Sequence, residues 1–119
     1  MSSVLLAEDE FLIRAVLVDA LGDVGVECIE AATGREALDV IESDRPLGAI
    51  IVDIGLPDRS GEKVIEAAAL HRPGVPIIRC SGASAPSALS ASIKTHSFPK
   101  PYSPSELSNF VVSLIGRDP

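Results

Sequence analysis

Four short apolar runs in this chain each end on a polar residue of the kind found in binding and catalytic sites. Short apolar runs that stop abruptly at polar residues are typical of strands that are buried on both faces. If these runs are parallel strands of one sheet, their carboxyl ends lie along the same edge and the polar residues meet there. Those residues are Glu8, Asp9, Asp53, Ser81 and Lys100.

Helical patterns lie between the apolar runs. Two capping boxes, Thr33 with Glu36 and Ser103 with Glu106, predict helix starts because each pair can satisfy free amides of a first turn. Ser60 is placed to cap another helix. The first helix of the chain is predicted by apolar residues that recur at intervals of three and four, which are Ile13, Val16, Leu17, Ala20, Leu21 and Val24.

Strand and helix patterns alternate along the chain. This alternation predicts an α/β protein in which a parallel sheet has helices on both faces and right-handed crossovers. A further strand is expected at residues 26–31, between the first two helices. The segment 82–97 is rich in Ser and Ala and contains Pro86, so the helix expected there is short or irregular. We expect a single domain over residues 1–119.

The composition argues against several classes of protein. The chain has 119 residues, a formal net charge of −7 and no cluster of Lys and Arg, which argues against a nucleic-acid partner. No apolar stretch approaches the roughly 20 residues of a membrane span, and the first residues lack the pattern of a secretory signal. We therefore expect a cytoplasmic protein without nucleic-acid or membrane partners, with reduced thiols at Cys28 and Cys80.

The acids that follow the first and third runs predict a metal site. Glu8, Asp9 and Asp53 would bring three negative charges together, and each close pair costs about 4 kcal/mol at an effective dielectric of roughly 20. Mg²⁺ would offset this repulsion, since it takes oxygen ligands from one or two carboxylates and a phosphate. Asp53 is the candidate nucleophile, because a carboxylate beside such an ion can form an acyl phosphate. Lys100 and Ser81 could bind the phosphoryl oxygens.

Several residues also occur in the order and at the spacing of a known signature. They are the string 4–10 (VLLAEDE), Asp53 with Pro57 four residues on and Gly61 eight residues on, Ser81, and Lys100-Pro101-Tyr102. Taken together, they resemble the receiver domain of bacterial two-component response regulators. The similarity extends over about residues 3–115, which is nearly the whole chain.

The resemblance implies a flavodoxin-like, doubly wound sheet of five parallel strands in the order 2-1-3-4-5. It also implies that Asp53 accepts a phosphoryl group from the phosphohistidine of a histidine kinase or a histidine phosphotransfer protein. With no output domain expected after Gly116, the signal would pass through binding to a downstream protein target or through onward phosphotransfer.

The resemblance assigns ligands as well. Mg²⁺, or Mn²⁺ in its place, would be held by Glu8, Asp9, Asp53 and the backbone carbonyl of Gly55. Ser81 and Lys100 would bind the phosphoryl oxygens. One position departs from the family, in which an aromatic residue usually stands three positions before the lysine: here it is Ser97, and Phe98 would point to the opposite face. We therefore expect signalling to proceed through ordering or displacement of the segment 82–97.

Two other functions are compatible with parts of this pattern. A metal-dependent phosphohydrolase with an aspartate nucleophile commonly has a second acid two residues after the nucleophile, but that residue is Gly55. A pseudo-receiver that only binds partners would tolerate loss of an acid, the hydroxyl or the lysine, and all are present. We expect no enzyme activity beyond self-phosphorylation and autodephosphorylation.

Overall fold

Strands and helices alternate over residues 3–81, as the sequence predicts. In the computed structural model, the described residues are 3–58, 61–81, 92–99 and 102–115. The strands are β1 (Ser3–Ala7), β2 (Cys28–Ala31), β3 (Leu47–Asp53), β4 (Ile77–Ser81) and β5 (His96–Pro99). The helices within the described ranges are α1 (Phe11–Asp23), α2 (Gly34–Ile41), α3 (Gly61–His71) and α4 (Pro104–Ile115).

The five strands form one parallel sheet in the order β2-β1-β3-β4-β5, which confirms the predicted flavodoxin-like topology. Helices α1 and α4 pack against one face of the sheet, and α2 and α3 pack against the other. β1 and β3 lie inside the sheet with both faces covered, so they are apolar almost throughout. The register places Ala7 beside Val52 and Asp53 beside Cys80, so the carboxyl ends of the strands share one edge.

Helix α1 buries only part of its apolar repeat. Leu17 and Leu21 are fully buried against the sheet and α4, but Val16 is 51% exposed and Val24 is 38% exposed. The repeat of apolar residues at three and four was wide enough to describe more than one face, and the contacts with the sheet and α4 select the buried one. As a result, Phe11 and Leu12 are also exposed.

Side chains cap both ends of α2. At its N-terminus the predicted Thr33 cap is confirmed, since the Glu36 amide donates to Thr33 Oγ1 at 3.1 Å. The Glu36 carboxylate differs from the predicted capping box, because its Oε1 accepts from the Ala32 amide at 2.7 Å and not from the Thr33 amide. At its C-terminus, the Arg72 guanidinium donates to four backbone carbonyls. These belong to Val40, Ile41, Ser43 and Arg45. A cation that satisfies the last carbonyls of a helix also interacts favourably with the helix dipole.

Some sequence predictions fall outside the described residues. They are the Ser60 cap of α3 and the short or irregular helix within 82–97, of which residues 82–91 are not described. Cys28 and Cys80 are free thiols, as expected, and burial raises the pKa of Cys28 to about 11, with Glu30 and Glu27 adding to the shift. Among the described helices, none combines the length and the hydropathy that crossing a bilayer requires.

Candidate functional site

Three carboxylates meet at the carboxyl-terminal edge of the sheet. Glu8, Asp9 and Asp53 each offer an oxygen atom that lies within 4.8 Å of the other two. Glu8 is 2% exposed and Asp53 is 5% exposed, whereas Asp9 reaches solvent. The sequence prediction that these acids come together is therefore confirmed, and the cluster has a buried floor and an open side.

Backbone bonds fix the Glu8 side of the cluster. Its amide donates to the Ala31 carbonyl at 3.0 Å, which continues the pairing of β1 with β2 by one residue. Its Oε2 atom accepts from the Glu10 amide at 3.0 Å, at the entry to α1. The Glu8 carbonyl accepts from Arg14 Nη1 at 2.8 Å, and Arg14 Nε is paired with Glu30 at 3.0 Å. The Glu8 carboxylate is thus held in place by the turn that leads into α1.

The Asp53 side is fixed by the turn that follows β3. The Gly55 amide donates to Asp53 Oδ1 at 3.2 Å, and the Ile54 amide donates to the Cys80 carbonyl of β4 at 3.1 Å. Gly61 closes the turn, because a Cβ atom at this position would lie 2.6 Å from the Ile54 Cα and 2.7 Å from the Asp53 carbonyl oxygen. Only glycine fits there, which gives a physical reason for a glycine eight residues after Asp53.

The donor set fits a hard divalent cation. All three converging groups are carboxylates, and oxygen ligands are those that Mg²⁺ prefers. The negative charge of the cluster also affects the ionisation of a neighbouring tyrosine. Burial, the neighbouring Cys80 and the charges of Glu8 and Asp53 all raise the pKa of Tyr102 well above its ordinary value. A bound cation would reduce both the repulsion among the three carboxylates and their effect on the pKa of Tyr102.

Ser81 and Lys100 are described to different extents. Ser81 ends β4 and its backbone lies one residue beyond Cys80, which pairs with Asp53, so its main chain is at the predicted edge. Its side chain lies outside the described part of the structure, as does the whole of Lys100. Lys100 directly follows Pro99, which pairs with Ser81 on the neighbouring strand.

The sequence analysis included Tyr102 in the signature but assigned it no contact in this region. Its ring meets Phe98 edge-on with 6.4 Å between centroids, and it packs against the core cluster that contains Cys80, the residue before Ser81. Phe98 is half-buried in the α1 and α4 layer while Ser97 is exposed, so the prediction that they face opposite ways is confirmed.

Comparison with known proteins identifies the family to which the chain belongs. The family model for the response regulator receiver domain matches residues 4–111, and the chain belongs to that family. It is therefore a receiver domain of the kind used in two-component signalling, and the resemblance seen in the sequence is confirmed.

Individual relatives and structures add detail. The chain is 42% identical over 59 residues to the transcriptional regulatory protein PdtaR of Mycobacterium tuberculosis, covering 49% of this chain but 28% of that protein. It shares 28% identity and a TM-score of 0.81 with the chemotaxis protein CheY4 of Vibrio cholerae, covering 96% and 98% of the two chains. The receiver domain of sensor histidine kinase PA1611 from Pseudomonas aeruginosa has a magnesium ion coordinated in its active site cleft. That structure has the same fold, with a TM-score of 0.81, 24% identity and 98% coverage of both chains.

Proposed function

We propose that this receiver domain is a phosphoacceptor switch in which Asp53 takes a phosphoryl group from a phosphohistidine. The donor is a histidine kinase or a histidine phosphotransfer protein. An Asp53 carboxylate oxygen attacks phosphorus and forms an O–P bond, while the N–P bond breaks and its electron pair stays on the imidazole nitrogen. The phosphorylated chain then changes its affinity for a downstream protein or passes the phosphoryl group to another histidine.

The observation that carries this proposal is the convergence of Glu8, Asp9 and Asp53 at the strand ends, with Asp53 at the end of the central strand β3. A buried carboxylate beside two others is poised to work with a divalent cation. The amide of Gly55 and the main chain of β4 hold Asp53 rigidly, so little reorganisation is needed when a donor approaches.

Mg²⁺ is the proposed cofactor, with Mn²⁺ as a substitute because it also accepts oxygen ligands. Its ligands are proposed to be Glu8, Asp9, Asp53 and the carbonyl of Gly55. When bound, the ion neutralises charge that develops on the transferring phosphoryl group. The Ser81 hydroxyl is proposed to donate to one phosphoryl oxygen, and the Lys100 ammonium to pair with another.

Small-molecule phosphorylation tests the acceptor. Incubation with phosphoramidate and Mg²⁺ should add the mass of one phosphoryl group to the native chain, as read by intact mass spectrometry, and none to Asp53→Asn. Asp19→Asn removes a solvent-exposed acid on α1 outside the cluster and should be modified like the native chain. Modification of Asp53→Asn would contradict the assignment. An unmodified native chain would favour the pseudo-receiver, and sustained multiple-turnover release of inorganic phosphate would favour the phosphohydrolase.

The docking surface proposed for the donor is the exposed apolar part of α1. Phe11, Leu12 and Val16 are 66%, 70% and 51% exposed, and α1 begins directly after the Glu8-Asp9-Glu10 turn. A protein that delivers a phosphoryl group to Asp53 must cover this region, and burial of its apolar side chains would contribute to the affinity. The proposed occupant is the helix of the donor that carries the phosphohistidine, laid against the first two turns of α1.

Leu12→Ser should reduce phosphotransfer from a phosphorylated histidine phosphotransfer protein by about tenfold or more, because central apolar contacts carry most of such binding energies. Leu70→Ser is the matched control, since Leu70 is 75% exposed but lies on α3, on the other face of the sheet. Phosphoramidate needs no docking surface and reports whether each variant keeps an intact site. Equal transfer to both variants would rule out this surface.

A further inference from the structure

We propose that Asp58 is a positioning residue for the metal site, and that it couples this site to the N-terminus of α2. This inference rests on the proposed function, because the site concerned is the one assigned there to Mg²⁺. Asp58 is not among the converging acids. It lies five residues after Asp53 and three after Gly55, in the loop formed by residues 54–58, here called the β3–α3 loop.

The carboxylate of Asp58 binds the first turn of α2 with both oxygens. Oδ1 accepts from the Gly34 amide at 2.7 Å, and Oδ2 accepts from the Arg35 amide at 3.0 Å. These amides have no partners within the helix, and a negative charge is favourable at this end of the helix dipole. Thr33 accepts from the Glu36 amide of the same turn, and Glu36 accepts from the Ala32 amide before the helix, so Asp58 adds bonds that these two residues do not make.

Contacts at Gly55 itself and on its C-terminal side therefore fix the β3–α3 loop. The Gly55 amide donates to the side chain of Asp53, at the end of β3. After it, Leu56 is 7% exposed and packs in the core cluster that also contains Ala37 of α2, and Asp58 is bonded to the helix. Because the residues between these contacts have little freedom, the Asp58 contact restricts where the Gly55 carbonyl can lie. That carbonyl is a proposed metal ligand, and residues that orient ligands commonly change metal affinity by roughly 10–100-fold when replaced.

The coupling must act in both directions. If the bonds of Asp58 to α2 favour the loop arrangement that binds Mg²⁺, then Mg²⁺ must favour those bonds by the same free energy. The amides of Gly34 and Arg35 should therefore exchange more slowly with solvent when the metal is bound. Amide exchange at the N-terminus of α2 would therefore depend on whether Mg²⁺ is bound, although none of the proposed metal ligands belongs to α2.

The test compares the Mg²⁺ dissociation constants of four chains by isothermal titration calorimetry. Asp58→Ala should bind Mg²⁺ about tenfold more weakly than the native chain. Thr33→Ala removes a cap from the same helix without touching the loop, and its dissociation constant should change less than twofold. Asp58→Asn loses the charge and keeps one of the two acceptor oxygens, so its affinity for Mg²⁺ should lie between those of the native chain and Asp58→Ala. In the native chain, Mg²⁺ should slow amide exchange at Gly34 and Arg35, and in Asp58→Ala it should not.

The outcomes separate this inference from the proposed function. A native chain that binds no Mg²⁺ would overturn the proposed metal site and this inference with it. Native-like affinity of Asp58→Ala would overturn only the role of Asp58. Equal weakening in Asp58→Ala and Thr33→Ala would reduce that role to helix capping, and equal weakening in Asp58→Ala and Asp58→Asn would indicate a long-range effect of charge. Either result would overturn the positioning role.

Discussion

Arg79→Met alone should lower the free energy of unfolding by about 3–5 kcal/mol, because it removes the guanidinium that bonds both oxygens of the buried Glu62 carboxylate. Arg79 on β4 is 6% exposed and Glu62 in the first turn of α3 is 8% exposed. Arg79 Nη1 donates to Glu62 Oε2 at 2.7 Å, and Arg79 Nη2 bonds Glu62 Oε1. Urea unfolding followed by circular dichroism measures the change.

The double variant Glu62→Leu plus Arg79→Met should be far more stable than Arg79→Met, and close to the native chain. Replacing both members of a buried ion pair by apolar side chains removes two desolvation costs and keeps the volume filled. Arg35→Ala is the control for an exposed pair: Arg35 lies 3.6 Å from Asp39 and its side chain is 71% exposed, so the change should be at most about 0.5 kcal/mol. If the effects of Glu62→Leu and Arg79→Met simply add, the two side chains do not form a coupled pair.

The sequence predicted the features that depend on local patterns. The central strands β1 and β3 were recognisable because burial on both faces requires continuous apolar runs. The cap formed by Thr33 and Glu36 was recognisable because its partners are three residues apart. The meeting of Asp9 and Asp53 followed from topology, since polar residues after parallel strands share an edge.

The features that the sequence did not reveal depend on contacts between distant residues. Asp58 and Arg72 cap opposite ends of α2, yet Asp58 lies 24 residues from Gly34 and Arg72 lies 31 residues from Ile41. No local pattern encodes such bonds. The buried face of α1 was also ambiguous, because the contacts that bury Leu21 and leave Val16 exposed come from the sheet and α4. The Glu62 and Arg79 pair left one signal, an arginine inside an apolar strand, which implies a buried partner but does not identify it.

These distant contacts have a common arrangement. The chain from Asp53 to Arg72 includes the proposed acceptor, the β3–α3 loop and α3, and three of its charged side chains bond to neighbouring elements. Asp58 and Arg72 bond to the two ends of α2, and Glu62 bonds to β4. Charged side chains of the segment that follows Asp53 therefore help to hold the packing around the site.

Mg²⁺ at roughly 100 times its dissociation constant should raise the free energy of unfolding by about 2.7 kcal/mol, because a ligand that binds only the folded state stabilises it. For a chain of this size, that is an increase of roughly 10 °C in the melting temperature. The physical source is the cluster of Glu8, Asp9 and Asp53, whose oxygens lie within 4.8 Å of one another and repel in the absence of a cation. Thermal unfolding at increasing Mg²⁺ concentrations measures the effect.

The double variant Asp9→Ala plus Asp53→Ala tests whether the ion binds at this cluster. Without Mg²⁺ it should unfold at a higher temperature than the native chain, since two of the repelling charges are gone, and with Mg²⁺ its melting temperature should stay the same. Asp19→Ala plus Asp23→Ala removes the same charge from exposed positions on α1 and should keep the full response. We thus expect the cluster variant to have a higher melting temperature without Mg²⁺ and no increase in melting temperature when Mg²⁺ is added. A general change in net charge cannot produce both results. A metal response that survives in the cluster variant would place the ion elsewhere on the protein.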